Sequence, residues 1–285
     1  MMDKIQRRFS RFGRLLFTLA VTAAAPCFAV AQTLEQAKSD GVTIAIANEP
    51  PYAFMGADGS PTGAGPELDK AILGEVGITR FSGQVMEYGA MIPAVQSRRA
   101  TFASSGSLMI TPQRCEAVIY SEPLICDGGS FVLSNKLADT VKSVKDLAAA
   151  GATVAVCGGC VAQQLALKAG IPTDKIIIFP DAPSGLKLLT DGRVDVYFHD
   201  TLATPGLFEK LVDKSKFKYL PVPDFPIGCQ AAAFNKDDVA LRDAYNDGIK
   251  KVRESGKYME ILKKFKMEAA AFGIDTATAE QLCKK

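Results

Sequence analysis

Histidine is almost missing from this chain: His199 is the single one in 285 residues. A zinc centre is therefore not expected, and no metal ligand is assigned, because such sites are built from several His and Cys side chains at short spacing. His199 itself is expected to pack or to form hydrogen bonds. No G-x-x-x-x-G-K-[ST] run occurs, so the chain holds no P-loop for a nucleotide, and no cofactor is expected. After the first 31 residues no apolar run is long enough to cross a bilayer. A large charge excess is missing too. Residues 1–31 hold five of the 33 basic and one of the 31 acidic residues, which leaves 28 and 30 and turns the formal +2 into −2 for the rest. Without a basic stripe, nucleic acid is not an expected partner. No acid–base pair is marked by spacing, and no catalytic residue is assigned.

What is present begins with an export signal. Lys4, Arg7, Arg8, Arg11 and Arg14 precede an apolar run from Leu15 to Ala25, and Ala29-Val30-Ala31 follows. These are the basic, apolar and cleavage regions of a secretory signal peptide, with cleavage expected after Ala31. Cys27 follows Pro26, a poor setting for lipid attachment. Six cysteines remain beyond the leader: Cys115, Cys126, Cys157, Cys160, Cys229 and Cys283. An even number in an exported protein favours disulfides, whose connectivity the residues alone leave open.

From Val42 the chain alternates strand-like and helix-like stretches, which predicts a largely parallel α/β sheet. VTIAIANEPPYAF reads as a strand and a Pro-rich turn, and helices are predicted over about 66–76 and 90–97. In ASSGSLMITPQRCEAVIYSEP a small-residue strand over 103–106 opens into a turn that presents Arg114, before a second strand over 117–120. A guanidinium among Ser104, Ser105 and Ser107 is suited to hold a carboxylate. From Thr153 a second set begins, with strands over 176–179 and 194–198 and helices over 161–169, 184–190, 239–255 and 258–266. The segments IPAVQSRRATFASSG and LKLLTDGRVDVYFHD echo one another as helix, basic turn and buried strand. One delivers Ser107 and Arg114, the other His199 and Asp200, at the strand ends where open α/β folds bind ligands. Two facing lobes, with an arginine on one and a carboxylate on the other, suit a small zwitterion.

VTIAIANEPPYAF, EYGAMIPAVQ, TPQRCEAVIYSEP, SVKDL, LLTDGRVDVYFHDT and LRDAYNDGIKKVRESGKYMEILKKF resemble the family 3 extracellular solute-binding proteins of polar amino-acid ABC importers. The likeness runs from about Leu34 to Cys283. ANEPPYAF, EYGAMIP, PQRCEAV and LICD look most like the ectoine and hydroxyectoine-binding branch. This resemblance implies a two-lobed type II periplasmic binding protein fold, each lobe a mostly parallel sheet flanked by helices, with a two-strand hinge. Residues 34–126 and 229–285 would form lobe 1 and residues 127–228 lobe 2. It implies a monomer in the periplasm that binds a small zwitterion, closes on it and delivers it to an inner-membrane permease.

By the same resemblance Glu49, Tyr52 and Tyr88 would contact the ligand cation, partly through aromatic faces, and Arg114 would hold its carboxylate. Ser107 and Met109 flank that turn. The Gly-rich turn at Gly159, Cys160 and Val161 would aim a helix N-terminus at the carboxylate. Met109 stands where that branch places a third aromatic, and Asp200 stands where amino-acid binders place an aspartate for the α-ammonium. Both departures lean toward an amino acid or another small zwitterion; the branch resemblance keeps an ectoine-like ligand as the expectation, with a polar amino acid or derivative as the alternative. A cyclohexadienyl-dehydratase-like enzyme on the same fold is a further alternative. Asp200 has a second reading, as the cap of a helix over 201–208. A structural Cys157–Cys160 bond is expected in place of a redox C-x-x-C. Cys126 and Cys229 lie where the chain would cross between lobes, which suggests Cys126–Cys229 and Cys115–Cys283 bonds.

Overall fold

The computed structural model describes residues 34–275 and 277–284. The expected leader, with Cys27 and its cleavage point at Ala31, lies outside the described residues. Along the chain the first strands are β1 (Val42–Ile46), β2 (Phe54–Met55), β3 (Pro61–Thr62), β4 (Phe81–Val85), β5 (Phe102–Ala103) and β6 (Ile119–Tyr120). Then come β7 (Ile125–Asp127), β8 (Gly129–Ser134), β9 (Val154–Cys157), β10 (Ile176–Phe179) and β11 (Val196–Asp200). The last are β12 (Phe217–Val222), β13 (Gly228–Gln230) and β14 (Ala233–Phe234).

Two five-stranded sheets result, ordered β4-β1-β5-β14-β6 and β10-β9-β11-β8-β12. In the first, β1 runs parallel to β4 and β5, and β14 is antiparallel to β5 and β6. In the second, β9 runs parallel to β10 and β11, and β8 is antiparallel to β11 and β12. Each sheet therefore has one reversed strand, the fourth in its order. The reversed strands are β14 and β8, and each lies next to a strand that joins the two sheets. That joint is a two-stranded antiparallel ribbon of β7 and β13, with Cys126 directly opposite Cys229.

The echoing segments take equivalent places. The helix Tyr88–Gln96 leads into β5 and the helix Ala182–Thr190 into β11, each strand being third in its sheet. The strands β1 and β9, each second in its sheet and paired on both sides, are apolar and buried: Val42, Ile44, Ala45 and Ile46 in β1, and all of Val154–Cys157 in β9. Each sheet organises its own core. Phe102, Phe234 and Tyr245 pack in the first, with ring centroids 4.9–5.7 Å apart. Phe131, Phe198, Phe179 and Tyr197 fill the second. The helix Val239–Glu254 buries Leu241, Tyr245, Ile249 and Val252, spaced at about one helical turn, against the helix Ala64–Glu75. Gly248 permits this approach, since a Cβ there would lie 2.6 Å from the Ile72 carbonyl oxygen.

Local boundaries shift from the sequence expectation where side chains replace ladder bonds. The strand expected over 103–106 is only Phe102–Ala103, because Ser104 Oγ and the Ser105 amide bond to the Asp69 carboxylate instead. Arg114 lies on a helical turn, Pro112–Cys115, where a bare turn was expected. Thr111 caps it by accepting the Arg114 N–H at 3.3 Å, and Pro112 occupies the first position. β11 extends to Asp200, two residues beyond the expected end, so His199 and Asp200 are strand residues paired with Ser130 and Gly129. Ser143 caps the helix Val144–Ala149 as expected. Asp238 precedes the helix Val239–Glu254 without a side-chain cap, its carboxylate being bound by Arg98 at 2.9 and 3.0 Å. The cysteines form Cys115–Cys283, Cys126–Cys229 and Cys157–Cys160, the three expected pairs.

Candidate ligand-binding site

A small cavity lies between the two sheets, bordered also by the joining ribbon. The first sheet's side supplies Glu49, Tyr88, Ser107, Met109 and Arg114 to its lining, and the second supplies Val161, His199 and Asp200. Asp127 and Gln230 enter from the ribbon itself.

Arg114 is 8% exposed. Its Nη1 donates to the Met109 carbonyl and its Nη2 to the Gly159 carbonyl, both at 2.8 Å. The second bond joins the two sheets' sides across the cavity. Among the described residues no carboxylate pairs with this guanidinium, and burial lowers its pKa, with Tyr120 opposing the shift. A buried guanidinium held only by carbonyls retains donors and an unbalanced charge, the arrangement that receives an anion. The first turn of the helix Val161–Lys168 opens on the same space, bringing its N–H groups and positive dipole end.

The same cavity is bordered by an acidic cluster. His199 Nδ1 touches Asp200 Oδ2 and lies 3.2 Å from Glu49 Oε1. The Tyr52 hydroxyl donates to Asp127 Oδ2 and, at 3.1 Å, to Asp200 Oδ1. Gln230 Nε2 donates to Asp127 Oδ2 at 3.2 Å. Burial, the largest cause, raises the Glu49 carboxyl well above its ordinary range, and the Asp200 charge adds to it. Burial and the same Asp200 charge raise Asp127. Asp200 goes the other way: burial pushes it up, but the attraction and hydrogen bond of His199 and the Ala203 amide hold it below the usual carboxylate range. Glu49, His199 and Asp200 place three donor atoms within 4.8 Å of one another, a grouping that could also hold a small cation.

Glu49, Tyr88, Ser107, Met109, Arg114, Cys160, Val161 and Asp200 all border this cavity. Tyr52 is 1% exposed and is absent from the lining: its ring belongs to the first core, and only its hydroxyl reaches the acidic cluster. Gly159 is not a lining residue either. Its amide donates to Gln163 Oε1 at 2.7 Å, and its contribution is the carbonyl that holds Arg114. Asp200 also fills its capping role, Oδ1 accepting from the amides of Leu202 at 2.7 Å and Ala203 at 2.6 Å. The helix it caps runs Ala203–Glu209.

Asp127, Gln230 and Phe225 border the cavity without having been singled out in the sequence. Asp127 directly follows Cys126, and alternation along a ribbon strand would turn it to the face opposite that cysteine. Phe225 had a weaker signal in Gly129, where a Cβ would meet the Phe225 ring at 2.2 Å.

Fold and cavity together match the two-lobed periplasmic binding proteins of type II, with the cavity beside the joining ribbon. The chain belongs to the bacterial extracellular solute-binding proteins, family 3, whose model matches residues 42–268. It is 29% identical over 289 residues to a probable amino-acid ABC transporter periplasmic-binding protein of Sinorhizobium fredii, covering 97% of this chain and 95% of that one. It is 26% identical over 233 residues to the histidine-binding periplasmic protein of Salmonella typhimurium, covering 78% and 86%. The crystal structure of EhuB in complex with hydroxyectoine superposes with a TM-score of 0.81 at 40% identity, covering 88% of this chain and 97% of that one. The chain is accordingly a solute-binding protein of an ABC importer, and its relatives are binding proteins.

Proposed function

We propose that this protein captures an ectoine-like zwitterion in the cleft and presents it to its permease. The observation that carries this reading is the pairing of a buried, carboxylate-free Arg114 with a cluster of carboxylates across one cavity. Arg114 takes the ligand carboxylate, assisted by Ser107 and the first turn of the helix at Val161. Glu49 and Tyr88 face its cation, and Tyr52 acts through the hydroxyl that braces Asp127 and Asp200. The 40% identity to the hydroxyectoine-bound EhuB supports the ligand class.

A polar amino acid is the second reading. Asp200, an aspartate at the edge of the cavity, favours it, as do the amino-acid and histidine-binding relatives. Asp200→Asn should then weaken ligands with a primary amine more than ectoine.

The lobe boundaries follow the ribbon: residues 34–126 with 229–285, and residues 127–228. A ligand that touches both lobes stabilises the closed arrangement, in which the protein acts as a monomer after cleavage at Ala31. Ligand is held and released unchanged, and mass spectrometry of the recovered ligand checks this against a dehydratase-like turnover. A thermal-shift screen of ectoine, hydroxyectoine, betaines and the common amino acids tests the reading. Hydroxyectoine or ectoine at saturating concentration is expected to raise the melting temperature most. A shift with amino acids alone would replace the ligand class, and no shift with any zwitterion would overturn it.

A further inference from the structure

The carboxylate oxygens around the cavity are not equally available. Asp200 Oδ1 is taken by the Leu202 and Ala203 amides and the Tyr52 hydroxyl, and Oδ2, though without a hydrogen bond, is covered by its contact with His199 Nδ1. Glu49 Oε1 lies 3.2 Å from His199 Nδ1. Asp127 differs. Its Oδ2 accepts from Tyr52 and Gln230, which fix the carboxylate on the ribbon, while Oδ1 is buried, belongs to a residue that borders the cavity and has no hydrogen-bond partner. Asp127 is 5% exposed. Ser107 Oγ and Gln230 Oε1, on the same cavity, are likewise buried and unpaired. Asp127 Oδ1 and Gln230 Oε1 are thus unpaired acceptors on residues that the ribbon brings to one cavity. Tyr88 and Phe225 are the aromatic residues of the lining, Tyr52 being withdrawn into the core.

We infer that Asp127 is a specificity-determining residue whose free oxygen accepts an N–H from the ligand's cationic group, so that the site selects zwitterions with a primary, secondary or amidinium nitrogen and rejects fully N-methylated ones. This rests on the zwitterion reading above and deepens it. A quaternary ammonium can be satisfied by aromatic faces, but it has no hydrogen to offer a buried acceptor. Binding one would leave Asp127 Oδ1 and Gln230 Oε1 desolvated and unpaired. The ribbon is thereby a recognition element as well as a joint, since the strand that carries Asp127 connects the two lobes.

The test is calorimetric titration of the mature protein and of Asp127→Asn with ectoine, with L-histidine against L-histidine betaine, and with L-proline against proline betaine. Wild type is expected to bind the N–H-bearing ligands at least about 100-fold more tightly than the methylated partners, as a site built for a hydrogen bond rejects an analogue lacking it. Asp127→Asn, with its melting temperature checked, is expected to lose about tenfold or more for N–H ligands and to narrow that ratio. A merely structural aspartate would weaken both ligand types alike. Should Asp127→Asn fail to fold, the wild-type ratio decides: equal binding of methylated and N–H ligands overturns the inference. Unchanged affinity in a folded Asp127→Asn protein overturns it too, while Arg114→Ala still losing all ligands leaves the zwitterion reading standing. Failure of every ligand to bind wild type overturns both.

Discussion

Asp69 illustrates how single residues set the protein's response to pH. It is fully buried on the helix Ala64–Glu75 and accepts hydrogen bonds from Ser104 Oγ at 2.5 Å, the Ser105 amide at 3.2 Å and the Tyr245 hydroxyl. Burial, only partly offset by these donors, raises its pKa from 3.8 to about 6. Between about pH 4 and pH 6 the folded state therefore binds a proton that the unfolded state does not. This contribution is complete below the unfolded pKa and is lost as pH rises through the folded one. Urea titrations at pH 4, 5, 6 and 7 should show wild type losing on the order of 3 kcal/mol more than Asp69→Asn across that window. Equal slopes for the two proteins would contradict this account of Asp69. At this scale the site was partly legible. Arg114, Glu49, Ser107 and Asp200 carry charge or hydroxyls at strand ends, where sequence pattern places ligand groups. Asp127 was hidden because a lone aspartate beside a cysteine gives no periodic signal, and its place on the cavity depends on the ribbon that pairs it with a strand about a hundred residues away.

Among the elements, the turn Cys157–Cys160 and the helical turn Pro112–Cys115 position the clamp. Gly159 has φ of 77°, and a Cβ there would lie 3.1 Å from Gly89 Cα, on the helix at the other side of the cleft. Gly159→Ala should strain the turn by roughly 1–2 kcal/mol and resist approach of the two sides, lowering ligand affinity about tenfold with a smaller change in stability. Calorimetry with a parallel melting curve checks this, and unaltered affinity would show that the two glycines need not meet. Cys115 sits beside Arg114 and is tied to Cys283 on the last helix, 168 residues later. Replacing both by serine should lower unfolding free energy by up to about 5 kcal/mol, because so long a loop constrains the unfolded chain strongly. Guanidinium titration reads the loss, and non-reducing peptide mapping identifies the bond. Helix centres were legible from 3.6-residue periodicity. Ends moved by at most two residues, as where Asp200 caps the helix Ala203–Glu209.

Across the whole molecule, the same strand order in two sheets follows from two echoing helix–strand units, and the echo was visible in the sequence before any coordinates. The chain crossing through paired Cys126 and Cys229 was legible because each cysteine sits at a change of strand set. Which oxygens remain unpaired in the cleft was not legible, since it depends on how the two cores bring Tyr52, Asp127 and Asp200 together. The central claim is that Arg114 receives a ligand carboxylate between the lobes. Its most direct test is calorimetric titration of wild type and Arg114→Ala with hydroxyectoine and with L-histidine. Whichever zwitterion wild type binds should bind Arg114→Ala weaker by on the order of 3 kcal/mol, roughly a hundredfold or more, for loss of a charge-assisted pair in a desolvated cleft. Equal affinity in a folded Arg114→Ala protein would contradict the account.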